Sequence, residues 1–161
     1  MKIVTIGRGT IGGGLAHLWR AAGHEVDELG RDGGDVSDAH AVLVAVPGAQ
    51  ISPALSAVTG LAGKIAIDAT NILPERHGDF PSYAEEVKSF TDAPVAKSFN
   101  MTFGGLFGAV REQRERPSNF YVADEGARES PSSSSATPAT TQFVSAISPG
   151  RATWRTRSGC S

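Results

Sequence analysis

Lys2-Ile3-Val4-Thr5-Ile6-Gly7-Arg8-Gly9-Thr10-Ile11-Gly12 is the stretch that decides the fold. A short β-branched run ends abruptly at glycine, as a buried parallel strand does, and the spacing G-x-G-x-x-G follows directly. From Ile11 to Ala22 the apolar residues Ile11, Leu15, Leu18 and Ala22 recur at helical spacing, and Gly23 stands where a left-handed cap would close the helix. The glycines therefore lie between a strand and a helix, and this context makes the pattern informative. Gly7 permits the tight turn, Gly9 lets backbone approach a pyrophosphate with no β-carbon in the way, and Gly12 lets the helix pack closely on the strand. The helix start then offers free N–H groups, with roughly half a positive charge, to phosphate oxygens. Nucleotide binding is the expectation; a turn that merely needs small residues is the bland alternative.

Working outward, Glu25–Leu29 predicts a second strand, and Gly30-Arg31-Asp32-Gly33-Gly34 a turn after which only a brief segment remains, so the second crossover is abbreviated. Ala41–Val46 is the clearest buried strand, closed by Pro47, which cannot donate to a continuing ladder. A helix over Ile51–Val58, a strand over Lys64–Ala69 ending at Thr70-Asn71, a helix over Tyr83–Phe90 and a strand over Val95–Phe99 ending at Asn100 complete the pattern, with a sixth strand at Phe120–Val122. Alternating strands and helices predict a Rossmann-type, doubly wound α/β fold: a parallel sheet with right-handed crossovers and helices on both faces, three layers α/β/α.

The bulk numbers agree with one such domain. The chain has 161 residues, 40% hydrophobic and 20% charged, which suits a single folded core. Fifteen basic against seventeen acidic residues leave a formal charge of -2, so no global field draws it to nucleic acid or an anionic membrane. Cys160 is the one cysteine, which excludes an internal disulfide and fits a cytoplasmic protein. No run approaches the roughly 20 apolar residues that span a bilayer, and no export signal is evident at the start.

Which dinucleotide is bound is usually decided at the end of the second strand, where a carboxylate accepts from a ribose diol and a guanidinium grips a 2′-phosphate. Leu29-Gly30-Arg31 favours NADPH. Asp32 is the caution, since it could pair with Arg31 or face a ribose, and Arg8 is either a second positive group or simply solvated. Thr70, Asn71, Phe99 and Asn100 fall at carboxyl ends of strands, where open α/β sheets bind ligands, although both asparagines would serve equally as turn caps. Surface or helix-end positions are expected for His17 and His24; His77 lies in a polar loop with Arg76 and Asp79. Phe103 and Phe107, with Gly104, Gly105 and Gly108, could wall a flat ring, but core packing is the simpler account of the aromatics. No metal-ligand cluster and no Ser-Lys, Tyr-Lys or His-Asp catalytic set stands out.

The order GRGTIGGGLAHLWRAAGHEV, then GR, VLVAVP, IDATN and VAKSFN resembles the coenzyme F-420 dependent NADP oxidoreductases, among the wider dinucleotide-binding enzymes whose Rossmann domain also resembles that of pyrroline-carboxylate reductase. The likeness covers residues 1 to about 125. It implies that the loop Gly7, Arg8, Gly9, Thr10, Ile11 and Gly12 binds pyrophosphate, that Arg31 binds the 2′-phosphate, and that Ala45, Val46 and Pro47 lie along the cofactor. Thr70, Asn71 and Asn100 would then border the nicotinamide. The implied reaction is hydride transfer between NADP(H) and a deazaflavin, coenzyme F-420, or a flavin-like acceptor. The two rings carry such a transfer when held face to face at about 3–3.5 Å with water excluded, so no general acid is strictly demanded. Reduction of a small imine or carbonyl compound, and a non-catalytic dinucleotide-binding module, are the other functions in play.

Composition changes at Ser130. Residues 1–129 form the expected NAD(P)-binding domain, and 130–161 are rich in Ser, Thr, Ala, Pro and Arg without a sustained period, a low-complexity tail that could be disordered. Ser132 to Gln142 can also be encoded by DNA which, read one base earlier, spells VEQLIRDAGYDP, an amphipathic helix and a turn. The hypothesis is a frameshift near Glu129 that removes the family's carboxy-terminal helices, which complete the substrate pocket and commonly a homodimer. Sequencing the gene beside that of a close relative should show the frame changing there; the same frame kept in both would remove the hypothesis.

Overall fold

Parallel strands buried on both faces need apolar side chains pointing both ways, and Ala41-Val42-Leu43-Val44 supplies them. Ala41 and Leu43 face one helical layer and Val42 and Val44 the other. In the computed structural model, residues 1–71, 79–100, 104–107, 109, 119–123 and 152–154 are described. Around β4 (Ala41–Val44) run β1 (Lys2–Ile6), α1 (Thr10–Ala21), β2 (Glu25–Leu29), the two-residue β3 (Gly34–Asp35), α2 (Ile51–Ser56), β5 (Val58–Thr59), β6 (Ile65–Asp68), α3 (Tyr83–Thr91), β7 (Val95–Ser98), β8 (Asn119–Ala123) and β9 (Ala152–Trp154). The main sheet has the order β2-β1-β4-β6-β7-β8-β9, while β3 and β5 pair separately. This is the Rossmann-type, three-layer architecture, and the chain reverses direction across the sheet between β1 and β4.

Each face has its own core. Leu15, Ala16, Leu18 and Trp19 of α1 pack with Ile3, Leu43, Ile67 and Phe99, and Trp19 meets Phe99 edge to face at 6.2 Å and 68°. Such a pair adds about 1 kcal/mol beyond the area it buries. On the other face Ile51 and Leu55 of α2 and Tyr83 and Val87 of α3 cover Val4, Ile6, Val42 and Ala66. The two helices are also tied by Glu86, whose Oε1 accepts from the Ser52 backbone N–H at 3.2 Å and from its hydroxyl at 2.6 Å.

Element ends depart from the sequence pattern where neighbouring chain intervenes. β4 stops at Val44 rather than Val46, because Gly7 turns β1 away and the last shared bond is Ala45 N–H to Ile6 carbonyl at 2.9 Å. Val58 leaves α2 to pair with Gly34 across the small second sheet. Phe99 is not the last residue of β7: it adopts φ 62°, a left-handed conformation that breaks the strand. The pattern predicts a parallel sheet throughout, but β8 is antiparallel to β7, with Ser98 opposite Tyr121. Gly104 and Phe107 pack back over α1, and β8 runs back from the carboxyl edge alongside β7. Ala152–Trp154 then pairs parallel with β8, and the remainder of 130–161, Cys160 included, lies outside the described residues. No helix is long and apolar enough to cross a membrane among the described residues.

Candidate functional site

The carboxyl ends of five strands stand in register. Leu29 is opposite Ile6, Ile6 opposite Val44, Val44 opposite Asp68, and Asp68 opposite Lys97. Beyond this line the loops after β1, β2 and β4 diverge and leave a cleft of about 650 Å³ lined by Gly7-Arg8-Gly9, Gly30-Arg31-Asp32 and Ala45-Val46-Pro47, with Gln50, Pro53 and Ala54 from the next turn and helix. It sits at the reversal point between β1 and β4, where open α/β sheets bind ligands.

The glycines of the first loop divide their work as the spacing predicts. Gly7 has φ 103° and donates its N–H to Leu29 at 3.1 Å; a β-carbon there would run into the Ala45 carbonyl. Gly12 presses on the Gly7 carbonyl and lies against the Ala45 methyl, which would stand 3.3 Å from an added β-carbon. Around Gly9 nothing comes within 4 Å of the place a β-carbon would take, so its surroundings are open to a ligand. Gly14 makes room for a different partner, the ring of Phe107, which is buried in the α1 core. Phe107 is thus a packing residue; Phe103 and Gly108 lie outside the described residues.

The start of α1 is electrostatically bare. Its N-cap is Gly9, no side chain caps it, and no acidic residue occupies its first turn. Helix α3 shows the alternative: the Ser82 hydroxyl accepts from Glu85 N–H at 3.1 Å, and Glu85 and Glu86 occupy its first turn. Uncapped N–H groups need an outside acceptor. The two arginines of the cleft, Arg8 and Arg31, are exposed and form no ion pair or hydrogen bond among the described residues, and Asp32 does not pair with Arg31. Glu28, the other carboxylate near the end of β2, is engaged by Arg20 at 2.6 Å.

Not every expected residue reaches this cleft. Thr10 is exposed on the first turn of α1, and Ile11, half-buried, packs against the core; Gly104 lies over both. Thr70 is 2% exposed, and its hydroxyl is turned into a polar cluster that sequence reasoning did not single out. There the fully buried Asp68 accepts from Thr70 N–H at 2.8 Å and Thr70 hydroxyl at 2.6 Å, while Lys97 Nζ donates to Asp68 Oδ2 at 2.9 Å and to both the carbonyl and the hydroxyl of Thr70. Burial, opposed by Asp68, lowers the Lys97 pKa below the ordinary lysine range. The signal for this cluster was an acid and a lysine inside strands otherwise apolar, IDAT and VAKS. Next to it the Asn71 side-chain amide donates to the Asn100 carbonyl at 3.2 Å and bridges the ends of β6 and β7. Asn71 and Asn100 stand farther along the same edge and do not line the cleft itself. His17 is exposed, His24 is half-buried past the α1 cap, and His77 lies outside the described residues.

No family model matches the chain, and no curated protein does. Solved structures do. A candidate F420-dependent NADP reductase from Arthrobacter sp. FB24 aligns over 96% of this chain and 84% of its own, with 22% identity and a TM-score of 0.68. A hypothetical protein from Sinorhizobium meliloti aligns over 95% and 82%, with 21% identity and a TM-score of 0.62. Pyrroline carboxylate reductase from Plasmodium falciparum, solved with NADP bound, aligns over 97% of this chain but 57% of its own, with 14% identity and a TM-score of 0.59. At these identities the likeness is one of fold.

Two pairs of substitutions separate architecture from binding. Gly12→Ala, which drives a methyl into the Gly7 carbonyl, should cost about 2–3 kcal/mol of stability. Gly9→Ala should cost within about 1 kcal/mol yet obstruct whatever ligand the cleft takes, since the methyl enters the open space at the helix start. Melting curves and a fluorescence titration check both. Lys97→Met should cost about 2 kcal/mol in urea denaturation, the low side for a broken buried pair because Lys97 is 26% exposed. Adding Asp68→Asn to it should return part of that loss, whereas costs that simply add would show that the two side chains do not act as a pair.

Proposed function

We propose that the chain is an NADPH-dependent oxidoreductase that transfers a hydride between NADP(H) and a deazaflavin, coenzyme F-420, or a flavin-like acceptor. One observation carries this reading: the uncapped start of α1 faces open space at Gly9, in a cleft that also holds the exposed Arg31, unpaired among the described residues. Diphosphate oxygens would accept from the N–H groups of the first helical turn, and the Arg31 guanidinium would hold the 2′-phosphate in a planar, two-point grip. Ala45, Val46 and Pro47 would support the dinucleotide from the β4 side, and Tyr83, packed against Gly48, holds that loop in place. Bound NADPH would supply the hydride; the chain's own part is to bind, orient and keep water out. Asn71 and Asn100 would orient a carboxamide at the far end, and the Lys97 cluster fixes the backbone that carries Asn71.

The overall likeness to a candidate F420-dependent NADP reductase supports the choice of acceptor. Membership of that family, and a cytoplasmic location, belong to the same proposal. Purified protein mixed with NADPH and candidate acceptors, followed by loss of cofactor absorbance, tests it. Turnover with a deazaflavin alone is expected. Turnover with a cyclic imine instead would move the chain toward pyrroline carboxylate reductase chemistry, and binding without turnover would make it a dinucleotide-binding module. NADPH should bind about tenfold or more tightly than NADH, and Arg31→Ala should erase most of that difference; equal affinities in the unaltered protein would contradict the cofactor assignment.

A further inference from the structure

Arg8 is exposed, yet its side chain runs from the glycine loop across to the neighbouring one. Its guanidinium lies over the α-carbon of Gly30 at the end of β2: a β-carbon added to Gly30 would stand 3.0 Å from Nη2, 3.1 Å from Cζ and 3.2 Å from Nε. Three nearly equal distances mean that the planar group lies broadside on Gly30, in a position that a side chain at residue 30 would contest. Arg8 thereby spans from the first loop to the second and comes beside the turn that holds Arg31.

Among the described residues, the charged groups lining the cleft are Arg8, Arg31 and Asp32, two guanidiniums and one carboxylate. Asp32 makes no ion pair among the described residues, so its charge acts on whatever enters. With Arg31 alone, one positive and one negative group would nearly offset each other at the ribose end. From this balance we infer that Arg8 is a second specificity residue for a 2′-phosphorylated adenine dinucleotide. It leaves the rim net positive, with its guanidinium seated on Gly30 at the start of the turn that carries Arg31. The inference rests on the proposed dinucleotide site and adds to it which groups set the preference, with Gly30 as the seat that allows Arg8 to take part.

A 2′-phosphate monoester carries between one and two negative charges near neutral pH, and the dinucleotide lacking it presents only hydroxyls there. A charge that acts at this point therefore changes the ratio of the two affinities, whereas one that acts on the shared diphosphate changes both affinities alike. Equilibrium titration of NADPH and NADH against the full chain and its Arg8→Ala and Asp32→Asn variants reads that ratio directly. Arg8→Ala should lower the NADPH:NADH preference about tenfold, and Asp32→Asn should raise it about threefold, in line with the loss of a charge-assisted contact and the removal of a like charge. An unchanged ratio in Arg8→Ala, through equal weakening of both dinucleotides or of neither, overturns the inference while NADPH binding by the unaltered chain upholds the proposed site. Failure of the unaltered chain to bind either dinucleotide overturns both.

Discussion

The close approach of α1 to the end of β1 is the constraint on which the rest of the structure depends. Gly12 rests on the Gly7 carbonyl with no room for another atom, and this contact draws the first turn of the helix down onto the carboxyl edge of the sheet. The cap position is itself glycine, with open space around it and no side chain to accept from the first N–H groups of the helix. Among the described residues no group accepts from these N–H groups, and the Gly9 that precedes them opens onto the cleft. The same glycines that permit the packing therefore create the electrostatic demand that a phosphate would answer.

Topology puts other chemistry within reach of that point. The strand ends from Leu29 through Ile6, Val44 and Asp68 to Lys97 share one line, so each following loop opens onto the same edge. Loops after β1, β2 and β4 enclose the cleft, and those after β6 and β7 extend the edge past it, where Asn71 and Asn100 are joined. The Asp68–Lys97 pair holds these last two strand ends together. A carboxylate inside a sheet must be matched by hydrogen bonds and charge; Thr70 supplies two of the bonds, and Lys97 supplies a third together with the charge.

Much of this was legible in the chain. β1, the glycine turn, α1 with its Gly23 stop, and β2 follow from short-range rules, and the structure places them within a residue of expectation. The abbreviated second crossover was visible too, as a gap too short for a helix. What escaped depended on partners distant in sequence. Nothing in Ala45-Val46 says that β1 has already turned away, and nothing in Val58-Thr59 says that Gly34-Asp35 waits beside it. The antiparallel pairing of β8 with β7 is written in neither strand's own sequence. Within the site, the rule that parallel strands end together puts the loops carrying Gly7, Arg31 and Pro47 on one edge, and they line one cleft. The seat of Arg8 on Gly30 and the inward turn of Thr70 were not, because a side chain's direction is decided by the space around it.

In the proposed function the bare start of α1 receives the diphosphate of a bound dinucleotide. The most direct measurement is the change in backbone amide chemical shifts of isotope-labelled protein as NADP⁺ is added. The largest changes are expected on the amides of Gly9 to Gly12, where the N–H groups gain phosphate acceptors. Unmoved amides at these four residues, with binding evident elsewhere on the chain, would contradict it.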